Sequence, residues 1–183
     1  VKDLCNRSVK EFGYENKESQ SRVSMEVSQD FAVRVDETLL MHVYFNLIKN
    51  ALYYSNSTVK IYDENGGKIV VEDNGPGISE DRVKNLFQDF ETSGKVGGTG
   101  LGLSFCKRVM ESFGGSIRCE SEVGKWTKFI LSFEKIEGGV VAEGSEEREG
   151  QGVYSIDLTK AKKTLKGKEF LIVDDDSLIF YKL

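Results

Sequence analysis

Two glycine-rich turns constrain the fold of this chain more than any other feature of its sequence. The first reads DNGPGI (Asp73–Ile78), and the second reads GGTGLGL (Gly97–Leu103) and runs directly into a helical pattern. Glycine has no Cβ, so the backbone can approach a ligand closely there, and N–H groups at a helix start attract anions. The second turn has neither the GxGxxG nor the GxxxxGK[ST] spacing of the common nucleotide motifs. The pair therefore predicts a phosphate-binding site of a different kind.

A helical segment before the turns and an aromatic pair between them complete the pattern. The helical segment, FNLIKNALYYS, carries Asn46, Asn50 and Tyr54 at intervals of four residues. These three side chains share one stripe of a helix, beside its apolar face. The aromatic pair is Phe87 and Phe90, in LFQDF. Chance rarely produces these four segments in this order.

Apolar residues spaced three or four apart predict three longer helices and one short one. The longer helices are expected over residues 1–13, Asp36–Tyr54 and Leu101–Phe113. Asp36 stands where an N-cap belongs, and Ser79 is expected to cap the short helix, whose first turn is acidic.

Alternating apolar residues predict strands, because successive strand side chains point to opposite faces. The predicted strands are Ser21–Ser28, Phe31–Val35, the two arms of a hairpin within Thr58–Asp73, Gly115–Ser121 and Thr127–Phe133. The hairpin turn is Asn65-Gly66-Gly67, which supplies the positive φ values of a tight turn. Two stretches without periodicity are predicted as loops: Tyr14–Gln20, and Glu91–Thr99 as a mobile loop.

Composition separates a globular part from a polar tail. Residues 1–136 hold the periodic pattern and predict one domain. Residues 137–166 are rich in Gly and Glu and predict a linker, after which residues 167–183 rebuild a short apolar strand, FLIV, that runs into Asp174–Asp176. The net charge of −5 argues against a nucleic-acid partner, and the three cysteines lack metal-ligand spacing.

In residues 1–136 the four segments resemble the N, G1, F and G2 boxes of the nucleotide-binding domain of sensor histidine kinases, within the wider GHKL ATPase family. The resemblance implies an α/β fold, the two-layer Bergerat sandwich, with a mixed β-sheet covered on one face by three helices. It implies binding of ATP and Mg²⁺ and transfer of the γ-phosphate to a histidine on a dimerisation helix hairpin outside this sequence. The FNLIKNALYY segment also resembles hybrid kinases of quorum-sensing type.

The resemblance extends to partners and location. Residues 167–183 resemble the first strand and acidic pair of a receiver domain. The expected partners are ATP or ADP, the histidine-bearing hairpin, and a receiver domain or response regulator, in a parent protein that forms a homodimer. No apolar run is long enough to span a membrane. The expected location is the cytoplasm, either free or as the cytoplasmic part of a membrane-bound sensor.

The resemblance also implies roles for individual residues. Asn50 matches the Mg²⁺-binding asparagine, Asn46 lies beside it in the catalytic stripe, and Tyr54 matches the aromatic that packs along adenine. Asp73 matches the carboxylate that selects adenine, since a carboxylate only accepts hydrogen bonds and the adenine amine only donates them. The other nucleotide contacts predicted are Gly75, Gly77, Ile78, Phe87, Phe90, Lys95, Gly98, Thr99, Gly100, Leu101 and Gly102.

Several alternatives remain open at this point. The ATP-hydrolysing members of the family carry a glutamate as general base where this chain has Asn46, which favours a kinase over a GHKL ATPase. A degenerate, non-catalytic module that signals through contacts alone is a third interpretation. Phe87 and Phe90 are also typical of core aromatics, and Lys95 of a solvated loop.

Two further residues test the resemblance. His42, the single histidine, lies inside the nucleotide-binding helix and is followed by Val43, so it is interpreted as a structural or rim residue and not as a phosphoacceptor. Tyr53 stands where many relatives carry Lys or Arg, which leaves open the cation that neutralises the phosphates.

Overall fold

A five-stranded sheet and five helices form the described part of the N-terminal unit. The computed structural model describes residues 1–90 and 100–135, and the backbone of residues 169–174 and 177–182. The helices are α1 (Lys2–Glu11), α2 (Lys17–Ser21), α3 (Glu37–Tyr54), α4 (Glu80–Val83) and α5 (Gly102–Ser112). The strands are β1 (Val23–Glu26), β2 (Val59–Glu64), β3 (Lys68–Asp73), β4 (Ser116–Glu122) and β5 (Trp126–Ser132). Within the described residues, no helix has both the length and the apolar character needed to cross a membrane.

The strands form one mixed sheet in the order β1-β2-β3-β5-β4. β1 runs parallel to β2, and every other neighbouring pair is antiparallel. Since β3 is the central strand, its last residue, Asp73, lies between Val59 of β2 and Thr127 of β5. The sheet therefore places the carboxylate that begins the first glycine-rich turn at the end of a strand that is hydrogen-bonded to neighbouring strands on both sides.

Helices α1, α3 and α5 cover one face of this sheet. Their buried residues and those of the strands form one cluster, which includes Leu4, Leu40, Val43, Leu47, Cys106, Met110, Ile61, Ile69, Val71, Phe129 and Leu131. The apolar residues of α3 that recur every three or four positions, namely Leu40, Val43, Leu47 and Ala51, are at most 1% exposed. The prediction of a two-layer α/β sandwich is confirmed.

Specific side chains fix both ends of α3. At its start, the Asp36 carboxylate accepts a hydrogen bond of 2.9 Å from the backbone N–H of Leu39, as an N-cap does. At its end, Nη2 of Arg22 donates to the carbonyl oxygens of Leu52 (3.2 Å) and Ser55 (2.7 Å). These carbonyls have no partner within the helix, so the guanidinium satisfies them and interacts favourably with the helix dipole.

Most of the other predicted elements are confirmed. The predicted helix at the N-terminus is α1, and the predicted hairpin is β2–β3, with Gly66 and Gly67 at φ values of 90° and 78°. Strand Ser21–Ser28 is present in shortened form as β1, and the last two predicted strands are β4 and β5. The helix after the second turn is α5, and Gly114 follows it at φ 73°.

The prediction of a loop over Tyr14–Gln20 is wrong. Helix α2 begins at Lys17, because the side chain of Asn16 accepts a hydrogen bond of 2.8 Å from the backbone N–H of Ser19. An asparagine in this position is a good N-cap, and the predicted loop ignored that signal.

The prediction of a strand over Phe31–Val35 is also wrong. The alternation of this stretch reflects packing, since Phe31, Val33 and Val35 lie half-buried against the core. A strand also needs a neighbouring strand for its backbone hydrogen bonds. The edge strand β1 ends at Glu26, and the chain has left the described sheet before Phe31. The Asp63 carboxylate accepts hydrogen bonds from the N–H groups of Ser28 (2.6 Å) and Gln29 (3.2 Å) where the chain departs.

The prediction for Ser79 is confirmed in position only. Ser79 is the N-cap residue of α4, but its side chain makes no capping hydrogen bond. The predicted mobile loop, Glu91–Thr99, and the predicted linker lie outside the described residues.

A second unit spans Ala142–Leu183. Its described part is an antiparallel pair of strands, β6 (Glu169–Asp174) and β7 (Ser177–Lys182). The predicted apolar strand FLIV lies in β6.

The contact between Arg22 and the end of α3 yields a stability prediction. Arg22→Ala should lower the free energy of unfolding by about 1–3 kcal/mol, because two carbonyl groups lose a charged donor. Arg118→Ala is the control, since Arg118 makes an exposed ion pair with Glu120 and its loss should cost less than about 0.5 kcal/mol. Urea unfolding followed by circular dichroism checks both, and equal losses would contradict the capping role.

Candidate functional site

Helix α3 contacts both glycine-rich turns, the first near its C-terminal end and the second two helical turns earlier. A Cβ at Gly75, in the first turn, would lie 2.5 Å from the carbonyl oxygen of Tyr54 in α3. A Cβ at Gly102, where α5 begins, would lie 2.8 Å from Oδ1 of Asn46 in α3. Both distances are too short for a real Cβ, so a side chain at Gly75 would collide with backbone, and one at Gly102 would displace the carboxamide of Asn46. The structure thus brings three of the four predicted boxes together.

Asp73 is a buried carboxylate at the centre of this region. Its side chain is 4% exposed and accepts a hydrogen bond of 2.8 Å from the N–H of Gly75. Burial raises the pKa of Asp73 from its ordinary 3.8 to about 6, and the nearby negative charge of Glu72 raises the pKa further. The hydrogen bond from Gly75 opposes both effects and lowers the pKa. Gly75 is the one hydrogen-bond donor to this carboxylate among the described residues. The remaining acceptor capacity suits a ligand that donates.

Asn74 attaches the first turn to the segment that follows α3. Its Oδ1 accepts hydrogen bonds from the backbone N–H groups of Ser57 (3.1 Å) and Thr58 (3.0 Å). Its Nδ2 donates to Oγ of Ser57 at 2.9 Å. Sequence reasoning gave Asn74 no role, although asparagine in a tight turn is a known sign of such local bonding. The turn and the end of α3 are therefore held as one piece.

The second half of this turn lies against the β4–β5 hairpin. Gly77 has a φ of 70°, and a Cβ there would collide with the backbone of Glu122. The carbonyl oxygen of Pro76 accepts a hydrogen bond of 2.7 Å from the N–H of Gly124. The half-buried Ile78 donates its N–H to Oγ of Ser121 at 2.8 Å. Both predicted contacts, Gly77 and Ile78, are thus held in place by the β4–β5 hairpin.

The polar stripe of α3 faces the start of α5. Nδ2 of Asn46 donates to the carbonyl oxygen of His42 at 2.9 Å, and its Oδ1 points at Gly102. Asn50 is half-buried, and its carboxamide has no hydrogen-bond partner in the part of the chain that the structure describes. Tyr54 is half-buried and packs edge-on against the ring of Tyr53, with the centroids 4.8 Å apart.

These groups fit a magnesium ion that is shared with phosphates. Among the described residues, no cluster of three or more His, Cys, Asp or Glu side chains could hold a metal alone. Mg²⁺ in nucleotide sites takes few ligands from protein and the others from phosphate and water. The unpartnered carboxamide oxygen of Asn50 suits this arrangement.

The second turn is described from Gly100 onward. Gly100 has a φ of 70°, Leu101 is the N-cap residue of α5, and Gly102 is its first residue. The N–H groups at the start of this 11-residue helix are the phosphate-binding groups that the sequence predicts. Three predicted contacts, Lys95, Gly98 and Thr99, lie outside the described residues.

The two aromatics of the F box differ from each other. Phe87 is half-buried and packs edge-on against Phe129, with ring centroids 6.4 Å apart. Phe90 is 74% exposed and has a φ of 65°, an unusual conformation for a residue other than glycine. The interpretation as core aromatics therefore suits Phe87 only. Between them, Asp89 forms an ion pair of 2.8 Å with Arg108 of α5, a link that sequence reasoning missed.

The single histidine lies at the rim of this region, as predicted. The His42 side chain is exposed and stands edge-on to Phe45, with centroids 6.0 Å apart. Its carbonyl oxygen is engaged with Asn46, so its backbone is an ordinary part of α3.

Residues 35–137, more than half of the chain, match the family described as histidine kinase-, DNA gyrase B- and HSP90-like ATPase. The chain therefore belongs to this family, and its N-terminal unit has the fold of a histidine kinase catalytic domain. Solved structures with this fold include the catalytic domain of histidine kinase ThkA, at a TM-score of 0.56 and 26% identity, covering 73% of this chain and 92% of that one. Full-length ShkA in complex with AMPPNP has a TM-score of 0.59 at 21% identity, covering 74% of this chain and 31% of that one.

Two of the curated relatives are sensor kinase/phosphatases of Vibrio species. The chain is 44% identical to the CAI-1 autoinducer sensor kinase/phosphatase CqsS of Vibrio cholerae over 148 residues, which cover 78% of the chain and 22% of CqsS. It is 39% identical to the autoinducer 1 sensor kinase/phosphatase LuxN of Vibrio campbellii over 140 residues, which cover 73% of the chain and 16% of LuxN. The chain thus spans about a fifth of the length of these relatives or less.

The raised pKa of Asp73 yields a prediction on stability and pH. The folded state holds the proton up to about pH 6, whereas the unfolded state releases it near 3.8, so the wild type loses stability as pH rises between these values. The shift corresponds to about 3 kcal/mol at most. Asp73→Asn lacks this charge, so its stability relative to the wild type should increase by about 1–3 kcal/mol between pH 4 and pH 7.

Urea unfolding at several pH values measures this difference. Asp63→Asn is a control of opposite sign, because the N–H of Ser28 donates to Asp63 and lowers its pKa. That variant should lose stability relative to the wild type as pH rises. If the difference in unfolding free energy between Asp73→Asn and the wild type stays constant with pH, the pKa of Asp73 is not raised by burial.

Proposed function

We propose that this chain binds ATP with Mg²⁺ and donates the γ-phosphate to a histidine on a dimerisation helix hairpin outside this sequence. One observation carries this proposal: the carboxylate of Asp73, 4% exposed and with one described donor, lies beside the first glycine-rich turn, at the point where that turn contacts α3. A buried acceptor with spare capacity is costly unless a ligand donor satisfies it. The exocyclic amine of adenine is such a donor.

The base would enter between the first turn and α3. Asp73 accepts a hydrogen bond from the adenine amine, and the missing Cβ atoms of Gly75 and Gly77 let the turn pack closely against the backbone of Tyr54 and Glu122, which fixes the turn beside the base. The half-buried side chains of Tyr54 and Ile78 offer apolar surface to the ring faces. A guanine base would place a carbonyl oxygen against the Asp73 carboxylate, and two acceptors repel.

The phosphates would lie between α3 and the start of α5. N–H groups at the first turn of α5 donate to phosphate oxygens, and Gly102 keeps this backbone close to Asn46. Asn50 would hold Mg²⁺, which neutralises phosphate charge when it is bound. Positioning and charge neutralisation are then the main contributions of this chain to phosphoryl transfer.

Transfer to a histidine is favoured over hydrolysis by the residue at position 46. The Asn46 carboxamide cannot accept a proton at neutral pH, and its Nδ2 is already engaged with His42. An imidazole acceptor is itself nucleophilic and needs no such base. The names of CqsS and LuxN as sensor kinase/phosphatases support a kinase as well.

We further propose that residues 1–136 are the catalytic domain, 137–166 a linker and 167–183 the start of a receiver domain. The apolar strand β6 ends at Asp174, as the first strand of a receiver ends at its acidic pair. The parent protein would be a homodimeric hybrid sensor kinase, with this part in the cytoplasm and a response regulator or receiver domain as its phosphoryl acceptor.

Calorimetry with ADP tests adenine recognition. Asp73→Asn places an amide donor against the adenine amine and should weaken ADP binding by about tenfold to a hundredfold, a mismatch of about 1–3 kcal/mol. Asp63→Asn is the control and should leave ADP affinity unchanged, because the Asp63 carboxylate of the wild type accepts a hydrogen bond from Ser28. Unchanged ADP affinity in Asp73→Asn would remove the adenine assignment.

The metal assignment has its own test. Asn50→Ala should weaken ADP binding in the presence of Mg²⁺ much more than binding in EDTA, since only the metal contact is lost. Asn6→Ala, an exposed residue of α1, is the matched control and should change neither value. If Asn50→Ala lowers both affinities equally, Asn50 is a structural residue.

The isolated chain should bind ATP but neither label itself nor hydrolyse ATP appreciably. His42 lies within α3, so in-line attack on a bound γ-phosphate would require that helix to unwind. Incubation with γ-labelled ATP should therefore label only an added histidine hairpin, with an acid-labile bond. Stable label on the chain itself, or phosphate release that Asn46→Ala abolishes, would place the protein in a different branch of the family.

A further inference from the structure

We propose that Ser121 is a positioning residue of this site, because its hydroxyl holds both the first glycine-rich turn and the hydroxyl of Thr127 next to Asp73. This inference rests on the proposed function, since it concerns recognition of the same adenine base. Sequence reasoning gave neither Ser121 nor Thr127 a role.

Three hydrogen-bonding contacts converge on the Ser121 hydroxyl. Its Oγ lies 2.8 Å from the backbone nitrogen of Ile78, 2.7 Å from the carbonyl oxygen of Trp126 and 3.2 Å from Oγ1 of Thr127. One side chain of the edge strand β4 thus joins the first turn to β5.

The donors and acceptors of these contacts follow from counting hydrogens. A hydroxyl has one hydrogen and two lone pairs. The Trp126 carbonyl can only accept, so it takes the Ser121 hydrogen, and the Ile78 N–H can only donate, so it takes one Ser121 lone pair. The last lone pair is left for Thr127, whose hydroxyl must then donate to Ser121.

This arrangement fixes the polarity of Thr127 beside the adenine-binding carboxylate. Thr127 is the cross-strand partner of Asp73, and the two residues are 5% and 4% exposed. Directly opposed residues of antiparallel strands point to the same face, with Cβ atoms about 5 Å apart. With its hydrogen used by Ser121, the Thr127 oxygen presents lone pairs only. Two neighbouring acceptors favour a base that carries an amine over one that carries a carbonyl group.

Substitution of Ser121 tests the proposal on the full chain. Ser121→Ala should weaken ADP binding by about tenfold or more, because Ile78 loses its anchor and the Thr127 hydroxyl becomes free to rotate. It should also lower the preference for ADP over inosine diphosphate, in which a carbonyl replaces the adenine amine, by about threefold or more. Ser121→Thr keeps the hydroxyl and should retain both properties.

Two measurements separate positioning from general stability. Ser116→Ala, an exposed position of the same strand β4, is the control for thermal stability and should bind ADP as the wild type does. In the absence of nucleotide, the Ile78 amide should exchange its hydrogen at least about tenfold faster in Ser121→Ala than in the wild type, and Ser121→Thr should restore its protection.

The outcomes distinguish this inference from the proposed function. An unchanged ratio of ADP to inosine diphosphate affinity, or unchanged exchange at Ile78, would overturn the role of Ser121 alone. A loss of affinity that merely follows a fall in melting temperature would do the same. Absence of ADP binding by the wild type would overturn the proposed function and this inference together.

Discussion

A buried carboxylate at the end of the central strand is the constraint on which the rest of the site depends. Asp73 is 4% exposed, and burial raises its pKa to about 6. Such a group destabilises the empty domain at neutral pH, so the fold must hold it in place by other means. Neighbouring strands fix it on both sides, and the turn that follows is bonded to the segment after α3 through Asn74 and to β4 through Ser121.

Helix α3 connects this carboxylate to the phosphate end of the site. Its apolar stripe is fully buried on the sheet, its start is capped by Asp36 and its end by Arg22. The polar stripe beside it therefore has a fixed position relative to the sheet. It contacts one glycine-rich turn at Gly75 and the other at Gly102. At Gly75 the contact is with backbone and excludes any side chain, and at Gly102 the missing Cβ leaves the Asn46 carboxamide in place.

Sequence reasoning succeeded where the signal was local and failed where it depended on partners. The face of α3, its cap and the β2–β3 hairpin are set by residues within a few positions of each other, and all were predicted. The stretch Phe31–Val35 alternates like a strand but pairs with no strand among the described residues, which sequence periodicity cannot show. The roles of Asn74 and Ser121 come from contacts between distant segments, so the motif alone could not reveal them.

The central claim is that an adenine nucleotide binds between the first glycine-rich turn, α3 and the start of α5. Nuclear magnetic resonance of the isotope-labelled protein titrated with ADP and Mg²⁺ tests it most directly. The amide signals of Gly75, Ile78 and Gly102 should shift and saturate, while those of Gly66 and Gly67, at the opposite end of β3, should stay in place. Saturable shifts confined to Gly66 and Gly67, or no saturable shift at all, would contradict the account.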